Sequence, residues 1–148
     1  MTPVLLVLLA SALGGVVVMV ARRTLHVVEV HGESMEPGLW PGDQVLVRRL
    51  RPGRPGRRVR RGDIVVISRV GPGEGVTLDG GTNLAIKRAA AVAGDPIPPG
   101  FEALGETLVP PGRLLVLGDN PSRSTDSRQW GLLPESRITG VVLRRLNA

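Results

Sequence analysis

Residues Pro3 to Ala21, PVLLVLLASALGGVVVMVA, run for nineteen positions without a charge. A hydrocarbon core about 30 Å thick takes roughly 20 helical residues to cross, because only a helix satisfies its own backbone over that distance. The run therefore reads as a retained membrane anchor over residues 1–23. A cleaved leader fits less well, since no basic stretch precedes the run and it is longer than the roughly 7 to 15 apolar residues of such segments. What remains, residues 24–148, is the length of one modest domain.

That remainder is built from short β-branched runs between Gly, Pro and Asp. Leu25 to Val30, Gln44 to Arg48, Asp63 to Ser68, Asn83 to Val92, Arg113 to Leu117 and Ile138 to Leu143 are predicted strands. No long segment has helical period, so the expected architecture is mainly β, a packed or barrel-like sheet assembly behind one N-terminal transmembrane helix.

The chain carries nineteen basic against thirteen acidic residues, a net charge of +6. Eight arginines crowd into Arg48 to Arg61, RRLRPGRPGRRVRR. Its Pro and Gly turns predict a solvated loop, either a plain charged hairpin tip or a contact for anionic membrane lipid. Nucleic acid is not an expected partner, because aromatic platforms are lacking: the sequence has two Trp, one Phe and no Tyr. With no cysteine there is no disulfide or thiolate metal site. No metal or other cofactor is expected. Gly71 to Gly75 and Asp79 to Gly81 match no phosphate-binding pattern and read as turns.

Chemistry concentrates at two places. Ser34 stands in a Gly- and Pro-bounded turn between two predicted strands, where rigid ends can aim its side chain. A serine hydroxyl becomes a nucleophile only beside a base. Apart from His26 and His31, every basic side chain but one is arginine, which cannot be usefully deprotonated. The exception is Lys87, in LAIKRAAAV. Strand alternation puts Ala85, Lys87 and Ala89 on one face and Leu84, Ile86 and Arg88 on the other. Burial among small apolar groups would favour the neutral amine, although periodicity alone favours an ordinary surface lysine beside Arg88. A relay between His31 and Ser34 is a further alternative. Gly118 to Gly131, GDNPSRSTDSRQWG, reads as a hydrogen-bonded loop that could hold the base, with Ser124 against Lys87 and either Asp119 or Asp126 paired with Arg128.

Taken together, these stretches resemble the type I signal peptidases, membrane-bound serine proteases with a Ser/Lys dyad. The nucleophile box stands as SMEPGLWPGDQVLV from Ser34 to Val47, followed by RGDIVV from Arg61 to Val66. The lysine box runs from Ile86-Lys87-Arg88 to Gly94-Asp95, and the GDNxxxSxDSRxxG box is complete from Gly118 to Gly131. The boxes keep the family's order. The resemblance implies Ser34 as nucleophile and Lys87 as general base. It also implies Ser34, Met35 and Ser124 as support for the oxyanion or substrate, and Asp119, Asp126 and Arg128 as structural support.

By the same resemblance, the partners are exported precursors with signal or leader peptides cut after small residues. The catalytic domain would stand on the outer face of the cell membrane on a single span, against the charge bias of Arg22 and Arg23. Gly32 replaces a serine that in some relatives contributes to the oxyanion site. Glu33 and Gly38 also depart from the common residues, and the short interval from Asp95 to Gly118 suits a minimal domain. Alternatives are a maturation protease dedicated to one precursor, of the nickel superoxide dismutase or pilin type, and an inactive membrane-bound binding module. The self-cleaving repressor proteases share the dyad, but they carry a DNA-binding domain where this chain has its apolar run.

Overall fold

The computed structural model describes residues 3–50, 59–68 and 84–147. Helix α1, Pro3–Thr24, covers the apolar run and continues directly into strand β1, Leu25–Glu29. The 18-residue window Pro3–Val20 has a mean hydropathy of 2.6 and none of it is buried. The helix is thus long and apolar enough to cross a membrane, and its surface, with Val4, Leu8 and Leu13 exposed, is not covered by any of the described residues.

Behind it stand β2 (Gln44–Arg49), β3 (Ile64–Ser68), β4 (Leu84–Val92) and β5 (Arg113–Leu117). The four-residue helix α2 (Ser127–Trp130), β6 (Leu133–Pro134) and β7 (Ile138–Arg145) complete the chain. All seven strands join one curled antiparallel sheet in the order β1-β2-β7-β3-β4-β5-β6. The sheet curls without closing, so β1 and β6 are its edges. The mainly-β expectation holds, and the six predicted strands recur with boundaries moved by a residue or two; the two-residue β6 was not foreseen. Asn83 and the two glycine-rich turns lie outside the described residues.

The sheet is packed on both faces. One carries Val65, Ile67, Ala85, Ala89, Val116 and Val141, with Leu50, Val59 and Trp130 laid against them. The other carries Val45, Val47 and Val66 and is covered by Met35 and Leu39 from the loop between β1 and β2. Each buried side chain of this size contributes about 1.5 to 3 kcal/mol relative to exposure. Met35 and Leu39 therefore fasten the loop that bears Ser34.

The predicted basic loop differs in part. Arg48 and Arg49 belong to β2, paired with Val141 and Gly140 of β7, and Leu50 and Val59 pack on the core. Apolar Leu46 and Val47 drive the strand, and β7 offers a ladder that outweighs the arginines' preference for water. The rest of the loop, 51–58, lies outside the described residues.

Candidate active site

The loop from His31 to Asp43 is zipped at its base. The Val30 amide donates to the Asp43 carbonyl at 2.8 Å, and the Gly42 amide donates to the Val30 carbonyl at 2.9 Å. The Asp43 carboxylate accepts from the Trp40 amide at 2.9 Å and from Arg145 at 3.2 Å. The Trp40 amide, with help from Arg145 and against some desolvation, holds the Asp43 carboxyl below its usual range. Inside the loop the Leu39 amide donates to the Met35 carbonyl at 2.9 Å, and the Glu36–Pro37 bond is cis. The Met35 side chain is buried, so its neighbour Ser34 is presented from a fixed backbone.

The strand alternation expected of β4 is observed. Ala85, Lys87, Ala89 and Ala91 are buried, while Leu84, Ile86, Arg88 and Ala90 are half-buried. Lys87 is only 4% exposed. Its Nζ lies 2.9 Å from Ser34 Oγ, although 53 residues separate the two in sequence. Among the described residues no acceptor meets the Ser34 amide.

The 118–131 loop holds this pair from behind. The Asn120 amide donates to the Ser34 carbonyl at 3.0 Å. Gly118 passes so close that a Cβ there would collide with Ser124 Oγ and the Ser34 carbonyl oxygen. Ser124 Oγ donates to Asp126 Oδ2 at 2.6 Å, which leaves its oxygen able to act only as an acceptor. Asp126, fully buried, also accepts from the Gly118 amide at 2.8 Å and from the Arg128 guanidinium at 2.6 and 3.0 Å. Burial by itself would raise the Asp126 carboxyl. The Arg128 guanidinium, the Gly118 amide and the Ser124 hydroxyl overcome that and hold it below the usual range. Asp126 also caps α2 in a capping box with Gln129.

Of the two pairings the sequence left open, Arg128 takes Asp126. Asp119 is held instead by Arg88, in two bonds of 2.8 and 2.6 Å. Asp119 raises the Arg88 pKa further. Arg88 was a neighbour of Lys87 with no assigned task, and the signal for one lay in its place on the opposite face of β4. It donates a third bond, at 3.0 Å, to the Gly62 carbonyl and so ties the RGD turn to the site. Gly38 makes room for this pair, since a Cβ there would collide with Asp119 Oδ2. Glu33 pairs with Arg123 at 3.4 Å across the rim of the loop. Gly32 has φ +80 with open space around it. His31 is exposed and turns to Glu29, with Nδ1 3.1 Å from its carbonyl oxygen, which leaves the relay without a base beside Ser34. Among the described residues no cluster of His, Cys, Asp and Glu could hold a metal ion.

A mainly-β domain that sets a serine hydroxyl against a buried lysine amine, behind an apolar helix long enough to cross a membrane, is consistent with a serine peptidase. The chain belongs to the family described as signal peptidase, peptidase S26, whose model matches residues 3–99 and 99–146. It is 35% identical over 132 residues to the mitochondrial ATP-independent inner membrane protease subunit 1a of Arabidopsis thaliana, across 84% of this chain and 72% of that protein. It is 32% identical over 123 residues to the mitochondrial inner membrane protease subunit 1 of Mus musculus, across 81% and 68%. To the probable signal peptidase I-2 of Synechocystis it is 28% identical over 137 residues, across 78% of this chain but only 60% of the relative.

Proposed function

We propose that this chain is a membrane-anchored serine endopeptidase that removes signal or leader peptides from exported precursors, with Ser34 as nucleophile and Lys87 as general base. The observation that carries this reading is the 2.9 Å contact between Ser34 Oγ and the buried Lys87 Nζ. A proton can pass directly over that distance. A neutral Lys87 amine takes the Ser34 proton as Oγ attacks the scissile carbonyl carbon. The oxyanion forms at the Ser34 amide, and the proton is handed to the leaving amine as the peptide bond breaks. Lys87 then takes a proton from water, whose oxygen attacks the acyl carbon, and returns it to Ser34 Oγ as the ester bond breaks, which restores the hydroxyl and the neutral amine. Ser124, with its own proton committed to Asp126, accepts from the lysine and steadies it. Asp119, Asp126 and Arg128 support the loop around it, and no metal or cofactor is required.

The sheet offers the substrate a place. β3 pairs with β4 along Leu84 to Arg88, but β5 pairs with it only from Arg88 onward. Among the described residues Leu84 to Ile86 have no strand partner on that other edge, and an extended peptide added there would run toward Ser34. Lys87 also lies in one cross-sheet row with Val65, Val141, Arg48 and Leu25, the first strand residue after α1. At about 4.8 Å per strand, the base stands roughly 19 Å along that row from the helix exit. That suits precursors emerging at a bilayer surface. Residues 1–23 serve as the single-pass anchor and 24–148 as the catalytic domain, on the outer face of the cell membrane.

The test is cleavage of a secretory precursor by the full-length protein in detergent or lipid, beside Ser34→Ala and Lys87→Ala. The unaltered protein should cut after a small residue and both variants should fall by at least about 1000-fold. Equal cutting by either variant sinks the dyad.

A further inference from the structure

The loop that carries Ser34 joins β1, an edge of the sheet, to β2. Lys87 stands on β4, and β7 and β3 lie between β2 and β4. The distance from nucleophile to base therefore depends on how firmly the stems of the loop are tied to β7. The backbone of Val30, the first stem, reaches the rest of the sheet through the second stem, in the bonds its amide and carbonyl make to Asp43 and Gly42.

The second stem, Gly42 to Gln44, is where β7 takes hold. Beyond the register shift between Leu46 and Val47, the chain of β7 runs on beside it. The Leu146 amide donates to the Gln44 carbonyl at 2.7 Å. The Gln44 amide donates to Asn147 Oδ1 at 2.6 Å, and Asn147 Nδ2 donates to the Gly42 carbonyl at 3.2 Å. Arg145 donates to the Asp43 carboxylate at 3.2 Å, and the same carboxylate accepts from the Trp40 amide. Residues 145–147 thus bond residues 42–44 across sequence separations of 102 to 105 positions. A carboxamide carries an acceptor and a donor on one planar group, so Asn147 can meet an amide and a carbonyl at once. Alanine meets neither, and an ionised aspartate meets only the amide.

We propose that the segment Arg145 to Asn147 is a positioning clamp for peptide cleavage: it locks the base of the nucleophile loop to β7 and so holds Ser34 at its distance from Lys87. The inference rests on the Ser34/Lys87 reading, because it concerns where the nucleophile is held. A loop freed at its base still folds, since Met35 and Leu39 stay buried beneath it. Its Ser34 hydroxyl, however, spends less time in line with the amine, and reacting groups must be held to within about 0.5 Å.

The full-length protein in detergent would be compared with Asn147→Ala, Arg145→Gln and Arg144→Gln, by steady-state cleavage of a secretory precursor and by backbone hydrogen exchange. Arg144 is exposed at the same end of β7 and takes no part in these bonds, so its variant is the control. Asn147→Ala should lower kcat about tenfold with KM within about twofold, because a looser loop changes alignment rather than substrate binding. Arg145→Gln should act in the same direction, and Arg144→Gln should match wild type. The Leu39, Gly42 and Asp43 amides, bonded within the loop, should exchange about tenfold faster in Asn147→Ala while those of β3 and β4 keep their rates. Asn147→Asp keeps the acceptor for the Gln44 amide, should fall between wild type and Asn147→Ala, and carries the test if the alanine variant does not fold. Faster loop exchange with kcat unchanged overturns the proposal, as does a lower kcat with loop exchange unchanged. A loss confined to KM, or an equal loss in Arg144→Gln, overturns it too. Failure of the dyad reading shows separately, as a Ser34→Ala protein that cuts as fast as wild type; the exchange rates, read without substrate, then decide alone whether the clamp holds the loop.

Discussion

At the scale of single residues, the site depends as much on missing side chains as on present ones. Gly118 lies between the Ser34 carbonyl and Ser124, and the Asn120 amide, two residues on, fixes that same carbonyl. Gly118→Ala must push either Ser124 or the Ser34 backbone aside. A displacement of about 1 Å at a nucleophile can cost about 100-fold in rate. We expect kcat/KM for precursor cleavage to fall by that order while the unfolding midpoint moves by only a few degrees. Gly32 is a different case, because its surroundings are empty and its φ of +80 is the constraint. Gly32→Ser, which restores the hydroxyl of some relatives, would place a side chain in the left-handed region at a cost of about 1 to 2 kcal/mol. Thermal unfolding should show that loss. A variant as stable as wild type would mean that the loop relaxes.

At the scale of elements, the 118–131 loop is organised by one carboxylate. Asp126 caps α2, holds Ser124 and receives Arg128 and the Gly118 amide. Its carboxyl is depressed in the folded protein, so it binds a proton more weakly folded than unfolded. The stability it contributes is present above the unfolded value of about 3.9 and is lost as pH falls through the depressed folded value. The urea midpoint should therefore drop steeply below about pH 4, and Asp126→Asn should flatten that drop. Asp126→Ala, which strands the guanidinium and the buried amide, should cost about 3 kcal/mol. Equal acid sensitivity in wild type and Asp126→Asn would move the effect to another carboxylate.

The elements also show what could be read in advance. Strands β1 to β5 and β7 were visible because β-branched residues alternate between Gly and Pro punctuation. The faces of β4 followed from the same period, but which face is buried did not: periodicity favours a surface lysine, whereas Lys87 is buried. Two elements were too short to register: β6 is a Leu133–Pro134 pair, and α2 spans one turn, marked only by the spacing of Asp126 and Gln129. The arginines of 48–61 suggested solvent throughout, yet Arg48 and Arg49 are held in β2 by the β7 ladder. The approach of Ser34 to Lys87 could not be reached from local pattern. It depends on β7 entering the sheet between β2 and β3, a long-range pairing that no short window of sequence contains.

At the scale of the whole molecule, the helix and the sheet answer to different solvents. Along α1 the described side chains up to Val20 are exposed, and among the described residues its main contact with the domain is at its junction with β1. The two faces of the sheet, by contrast, are filled by the domain's own residues: the loop bearing Met35 and Leu39 covers one, and Leu50, Val59 and Trp130 help to cover the other. Among the described residues none of the buried core clusters draws a side chain from α1. Removing residues 1–23 should leave the rest folded, with β-type circular dichroism and an unfolding midpoint within a few degrees of the full chain. It should also convert the protein from one that stays with membranes through carbonate extraction to one that is released. If the shortened chain cleaves a soluble precursor peptide at the full-length rate but a membrane-held precursor far more slowly, the helix acts by confining enzyme and substrate to one surface. If it loses both activities while remaining folded, α1 must shape the site itself, and the row from Leu25 through Arg48 to Lys87 is the path along which it would do so.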